Sequence, residues 1–483
     1  MTAPLLCSIL IVLCGIGVGI ILRPRNVVEF ALSPPGLFSA YYVLVYLVSP
    51  ILMAPQEATS RWGLMSGELS TSSAWALICG WAYYVAALGG MRATGASTEF
   101  YVQADACQSA QGSPRFMVIV VWAALYLAYR ALFGSLLSLT DVPLLSSQMT
   151  DGELMSDSIS LTAGTGYLLL PRSMGPVLEI SFLILILDRR SPGMVRFVSV
   201  IAFVALCASS VVGYLAAGRR LGVVYFVIYS GLCGLLLCVR RVKIHHLLLA
   251  SCVALVLLAV VSFLGNLRTE VMGGLRHGEA REKGVTWAEI QRELANSMGH
   301  AELLAFAIEN ESSWEPMWGA TYAAALTMPV PRKWWPDKPL GAGPHMVNII
   351  RPGSYVVGKR MISSVTTGGA LEAYMNFREI GVIVVGFLHG VAVSLVSRYG
   401  RSVRQKTEIP IFVLLLLSVC VRSVTNEFVG EFTALGGILF FGVLVHWSSG
   451  AFAAPRDATP RHSRQIVRRS ILARPSGGGS VRE

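Results

Sequence analysis

Charge is scarce in this chain. Only 14% of its 483 residues are Asp, Glu, Lys or Arg, against 54% hydrophobic. A soluble globular domain carries about 25% charge, so the composition excludes that class and indicates a polytopic helical membrane protein. A P-loop, a GxSxG elbow, an HExxH pair and a Rossmann fingerprint are all missing. Their absence argues against ATP-driven transport and against serine or zinc hydrolysis. No CxxC pair has metal-site spacing, and eight of the nine Cys lie in apolar stretches, with Cys107 in a short loop. Buried Cys behaves as a small hydrophobe, so neither a disulfide framework nor a zinc site is expected. No DxD-like acidic cluster is present for a divalent ion, so the chemistry is expected to need neither metal nor other cofactor. No internal repeat suggests an inverted-repeat transporter. There is no basic stretch ahead of the first apolar run, since Arg23 and Arg25 follow it. Residues 3–22 therefore read as a retained span with the N-terminus outside, not as a cleaved signal peptide.

Apolar windows long enough for a ~30 Å bilayer core occur near 3–22, 36–54, 73–91, 116–138, 167–188, 194–217, 221–239, 247–265, 379–397, 409–424 and 432–449. The expected fold is all-α and polytopic, with about eleven transmembrane helices. The net charge of +11 is unevenly placed. Arg23/Arg25, Arg92/Arg115, Arg189/Arg190/Arg196, Arg240/Arg241/Lys243 and Arg398/Arg401/Arg404/Lys406 fill one alternating set of short loops, and seven more Arg follow Trp447. That set and the C-terminus read as cytoplasmic by the positive-inside rule. A basic balance of this kind marks topology, and no nucleic-acid partner is expected. Four parts follow: spans one to eight over 1–265, a long outer loop over 266–378, three further spans over 379–450, and a basic, disordered cytoplasmic tail over 451–483.

The outer loop carries Trp314, Trp318, Trp334, Trp335 and three of the eight His. Thr286 and Glu289 have capping-box spacing, and Trp287, Ile290, Leu294 and Met298 follow on one helical face. The Pro-dense stretch from Pro329 to Pro352 is expected to be irregular, an ordered segment or a flap.

Several arginines lie inside or at the ends of apolar spans: Arg130, Arg172, Arg219, Arg220 and Arg422. Burying Arg in lipid costs roughly 2.5–3.5 kcal/mol on insertion scales, so such residues tend to mark a pathway or a ligand site. Arg binds phosphate bidentately and stays charged, which suits a pyrophosphate. Each could equally snorkel to headgroups or pair with a carboxylate. Arg332, Lys338 and Arg360 add positive charge in and beyond the Trp334–Trp335 segment. Those tryptophans suit stacking on sugar rings, and equally anchoring at the interface. Glu372 and His345 are candidate bases on the outer side. Glu179, within the fifth span, reads as a helix-packing hydrogen bond.

The stretches PVPRKWWPDKPLGAG and TTGGALEAYMNF leading into a span, with GRR after an earlier one, resemble the Wzy-type oligosaccharide repeat-unit polymerases. Hydropathy is similar over most of the chain; the motif-like similarity covers about a tenth of it. Phe377-Arg378 stands where the resemblance implies an aromatic followed by Gly. The resemblance implies a bacterial inner-membrane glycosyltransferase of the lipid-dependent kind, acting on undecaprenyl-pyrophosphate-linked oligosaccharides at the outer face. It implies inverting, metal-independent transfer that builds a surface polysaccharide. It assigns Arg219, Arg220, Arg332, Lys338, Glu372 and Arg422 to the site, while Arg130 and His345 rest on the residues alone. The bilayer, a chain-length regulator and a flippase of the same pathway are the partners that go with it. The rival readings are an O-antigen ligase, a polysaccharide-lipid flippase or transporter, and a non-catalytic scaffold.

Overall fold

The computed structural model describes residues 3–53, 70–98, 115–141, 173–188, 191–216, 220–238, 298–328, 330, 334–356, 360–361, 365–403 and 405–450. Among them, seven helices are long and apolar enough to cross a bilayer: Ala3–Leu22, Pro34–Ile51, Thr71–Ala93, Gly193–Ser210, Gly368–Ser402, Lys406–Thr425 and Phe428–Ser448. The spans expected at 116–138, 167–188 and 221–239 coincide with the apolar helices Phe116–Asp141, Met174–Leu187 and Arg220–Cys238. The span expected at 247–265, the capping box at Thr286 and the basic tail lie outside the described residues. The chain is thus an all-α membrane protein. A single two-stranded hairpin interrupts the helical pattern among the described residues, pairing Tyr355 with Met361 and Val356 with Arg360.

Two parallel helices, Thr71–Ala93 and Gly368–Ser402, form the tightest contact. Their side-chain links advance together, from Trp75 Nε1 donating to Glu379 Oε1 at 3.2 Å, through Tyr83 with His389 at 2.8 Å, to Ser97 N donating to Ser397 Oγ at 3.1 Å. Glycine makes this possible. A Cβ on Gly386 would lie 2.6 Å from the Tyr83 carbonyl oxygen, one on Gly390 1.9 Å from that of Ala87, and one on Gly90 2.1 Å from that of Phe387. Gly386 and Gly390 are four residues apart and share one helix face, the small-residue spacing that lets membrane helices touch backbone to backbone. Beside this pair, Phe38, Tyr42, Tyr46, Tyr83 and Tyr84 are fully buried, with Tyr42 stacked on Tyr46 at 4.5 Å.

The ends of the helices sort onto two sides. On one side, Asp188 closes the Met174–Leu187 helix and pairs with Lys406 at 3.0 Å, both buried, while Thr407 contacts His446 Nδ1 at 2.8 Å. On the other side lie Arg422 to Phe428, the start of Gly368–Ser402 and the segment from 298 to 367. Glu179 is fully buried and accepts hydrogen bonds from Ser210 and Tyr229 on two neighbouring helices, as its position in an apolar span suggests.

Two boundaries differ from the sequence reading. The Pro-dense stretch contains a regular helix, Ala342–Ile350, because Pro344 falls in the first turn, where a missing N–H costs no hydrogen bond. The helix expected to begin at 379 begins at Gly368 and continues across a break at Phe377 and Arg378.

Gly390→Ala should therefore lower the thermal stability of the nanodisc-embedded protein by more than the roughly 1–3 kcal/mol of ordinary overpacking. Gly89→Ala, where a Cβ meets nothing within 4 Å, should leave it unchanged or slightly higher. Equal melting temperatures for the two variants would contradict the backbone-to-backbone contact.

Candidate functional site

The break in Gly368–Ser402 organises the site. Phe377 (φ −141°, ψ 19°) and Arg378 (φ 54°, ψ −143°) leave the helical region, and Arg378 adopts a conformation that glycine tolerates best. The carbonyls at the helix end thus lose their internal donors, and N–H groups of the 310–321 segment replace them. Met317 N donates to Met375 O at 3.0 Å, Trp318 N to Asn376 O at 3.1 Å, and Gly319 N to Asn376 Oδ1 at 2.9 Å. Trp318 and Gly319 reach these acceptors with positive φ, 47° and 87°. Arg378 clasps the same segment: Nε meets Glu311 Oε1 at 3.3 Å, Nη2 donates to Trp314 O at 3.1 Å, and the guanidinium lies 3.8 Å over the Trp314 ring.

Inside the clasp lies a chain of polar contacts. Asn376 Nδ2 donates to Thr321 Oγ1 at 2.6 Å, and Thr321 Oγ1 donates to Glu372 Oε1 at 2.8 Å. Glu372 Oε2 accepts from Phe428 N at 2.6 Å, so this carboxylate caps the Phe428–Gly450 helix. Glu372 is 1% exposed with both oxygens engaged. The adjacent Glu427 caps a second helix: its Oε2 accepts from Gly343 N at 2.9 Å, at the start of Ala342–Ile350. A Cβ on Gly341 would lie 2.8 Å from that oxygen, so the glycine leaves room for the carboxylate. Burial raises the Glu427 carboxyl above the usual range, partly offset by the Gly343 hydrogen bond. The Glu427 and Glu372 charges act on one another. One turn before Glu427, Arg422 pairs through Nη2 with Glu431 Oε1 at 2.9 Å and lies 5.5 Å over the Tyr225 ring. Its side chain is still 30% exposed.

The sequence-derived candidates divide. Glu372 and Arg422 come to one end of the bundle, and His345 sits in the helix that Glu427 caps. Burial holds the His345 imidazole in its neutral form, and burial pushes His300 down to about 4. Lys338 Nζ donates to Val330 O at 2.8 Å, tying a turn of the loop together. Trp334 is 79% exposed and Trp335 44%. The charge of Arg130 acts on Glu179, whose partner Tyr229 lies one turn beyond Tyr225, the ring beneath Arg422. Arg219 and Arg332 lie outside the described residues, as do the side chains of Arg220 and Arg360.

Sequence reading missed Thr321, Asn376, Arg378, Glu427 and Glu431 as parts of the cluster. Two signals were there: the arginine where a glycine is expected, and two acidic residues, Glu427 and Glu431, at the start of the last span. His389 was also missed. It lies mid-span between Tyr83 Oη at 2.8 Å, Ser423 Oγ at 2.9 Å and Val419 O at 2.8 Å.

Arg378 sets backbone strain against a side-chain clasp, and two variants separate these effects. Arg378→Ala loses the clasp and keeps the strain; Arg378→Gly loses both. The Gly variant should be the more stable by about 1–3 kcal/mol, the cost of a strained backbone position, read from thermal unfolding in nanodiscs. An Ala variant as stable as the Gly variant would contradict the strain. In comparisons with known proteins, no family model, no curated protein and no solved structure matches this chain.

Proposed function

We propose that this chain is a glycosyltransferase that polymerises undecaprenyl-pyrophosphate-linked oligosaccharide repeat units at the outer face of a bacterial plasma membrane. The observation that carries the reading is the meeting, at one end of the bundle, of a buried carboxylate and a partly buried one with a partly exposed arginine. Glu372 and Glu427 lie there with Arg422, and the stretch leading into the helix that Glu427 caps bears exposed tryptophans. A sugar hydroxyl of one lipid-linked unit attacks the anomeric carbon of the growing chain from the face opposite the pyrophosphate, inverting it. Charge then develops on the departing pyrophosphate. A guanidinium already oriented by Glu431 stabilises that charge without reorganising at the moment of reaction. A carboxylate takes the hydroxyl proton. Trp334 and Trp335, on the loop, suit the apolar faces of sugar rings.

The positive-inside distribution supports the orientation, with the 298–367 segment outside, the C-terminus cytoplasmic and about eleven spans in all. Arg219, Arg220, Arg332, Lys338 and Arg360 are proposed to add to the electropositive surround of the pyrophosphate. Arg130 is proposed to act further along, towards the lipid. The reading needs no cofactor, and a chain-length regulator and a flippase of the same pathway are its expected partners.

Deleting the gene should leave the host's surface glycan with a single repeat unit in place of the ladder. Long chains accumulating on undecaprenyl pyrophosphate would instead mean a ligase, single units trapped on the cytoplasmic face a flippase, and an unchanged profile would sink the proposal. With Arg422→Ala, polymer formation should fall about 10²–10³-fold, the cost of removing a preorganised donor to developing charge. Wild-type polymer at normal membrane levels of that variant would remove Arg422 from the pyrophosphate site.

A further inference from the structure

We infer that Glu427 is the proton acceptor of this site and that Glu372 is a positioning residue. The inference rests on the glycosyl-transfer reading above and concerns which of two neighbouring carboxylates does which work. Glu372 is sealed. Its Oε2 accepts from the Phe428 N–H at 2.6 Å, and at 1% exposure the carboxylate offers a sugar hydroxyl no approach. Its Oε1 receives the Thr321 hydroxyl at 2.8 Å, and Thr321 Oγ1 is in turn held by Asn376. Each bond also fixes a separate element: the start of the last span, the Ala320–Thr327 helix, and the broken end of Gly368–Ser402. That is a frame, and a frame works best when it does not change protonation.

Glu427 differs in each respect. One oxygen, Oε2, is anchored on the Gly343 N–H, which fixes the carboxylate's direction. The other, Oε1, is hydrogen-bonded by no described residue, and the side chain is only partly buried. Such a carboxylate is held by one oxygen and presents the other. Of the charged groups around it, Glu372 lies close enough for the two charges to interact, and Glu431 is one turn along the last span. Burial keeps His345 neutral, and Arg422 is paired with Glu431. Burial, partly offset by the Gly343 hydrogen bond, makes Glu427 hold a proton more readily than a free carboxylate. A base is most effective when its pKa approaches the working pH. In the step, the acceptor sugar's hydroxyl oxygen bonds to the anomeric carbon. The bond from that carbon to the pyrophosphate oxygen breaks, its electron pair leaves with the pyrophosphate, and the hydroxyl proton passes to Glu427 Oε1.

The test uses the purified full chain in nanodiscs, with undecaprenyl-pyrophosphate-linked repeat units extracted from the deletion host as substrate. Glu427→Gln keeps an oxygen for the Gly343 N–H. Its kcat should fall about 10²–10⁴-fold, the range for loss of a general base, with KM little changed. The acid limb of its kcat/KM–pH profile should vanish, and Glu427→Asp should recover part of the rate. Glu372→Gln should lower the melting temperature and raise KM while keeping the acid limb. If Glu427→Gln fails to fold, the limb is read from Glu427→Asp, where it should shift in pH. An active wild type with an unaffected Glu427→Gln rate and limb, or an unshifted limb in Glu427→Asp, overturns the assignment alone. A wild type that extends nothing overturns the glycosyl-transfer reading, and this assignment with it.

Discussion

Contact between the backbones of the Thr71–Ala93 and Gly368–Ser402 helices is the constraint on which the remaining architecture depends. In a bilayer, helix association gains nothing from leaving water, and close van der Waals approach and interhelical hydrogen bonds must supply it. Gly90, Gly386 and Gly390 allow that approach, and Trp75, Tyr83 and Ser97 link to the partner helix along its length. With the deep part of Gly368–Ser402 fixed, its outer end is held at one height. Every polar contact of the cluster is built on that end. His389 extends the same clamp to the neighbouring span through Ser423 and Val419, just beneath Arg422.

The outer segment is joined to the bundle by hydrogen bonds that a continuous helix would have used itself. Breaking Gly368–Ser402 at Phe377–Arg378 frees the carbonyls of Met375 and Asn376, and the N–H groups of Met317 and Trp318 occupy them. The cost is backbone strain at Arg378 and Trp318, positions held by the surrounding contacts. Buried acids are tolerated for a related reason. A carboxylate away from water must be hydrogen-bonded or paired, and Glu372, Glu427 and Glu431 each meet helix N–H groups, a hydroxyl or Arg422. Helix N-termini gather at one end of the bundle, and the acids gather with them.

Much of this was legible in the sequence, and the limits have physical causes. Apolar runs revealed the spans because lipid demands long uninterrupted hydrophobicity. The stretch around Glu372 stood out as polar sequence entering a span. The Ala342–Ile350 helix was hidden by proline density, since the harm a proline does depends on its position within the helix. Glu427 was hidden because an acid between two spans resembles an ordinary loop residue until the helix it caps is known. Arg422 was legible as an arginine in an apolar span, but its pairing with Glu431, nine positions on, was not.

On the proposed reading, substrate chemistry takes place where the carboxylates meet Arg422. The most direct measurement is an electron cryomicroscopy map of the protein in nanodiscs with a bound undecaprenyl-pyrophosphate-linked repeat unit. The account expects the pyrophosphate against Arg422 and the sugars beneath the Trp334–Trp335 segment, within reach of Glu427. Density for the pyrophosphate at the opposite end of the bundle, beside Asp188 and Lys406, or a glycan remote from Glu427, would contradict it.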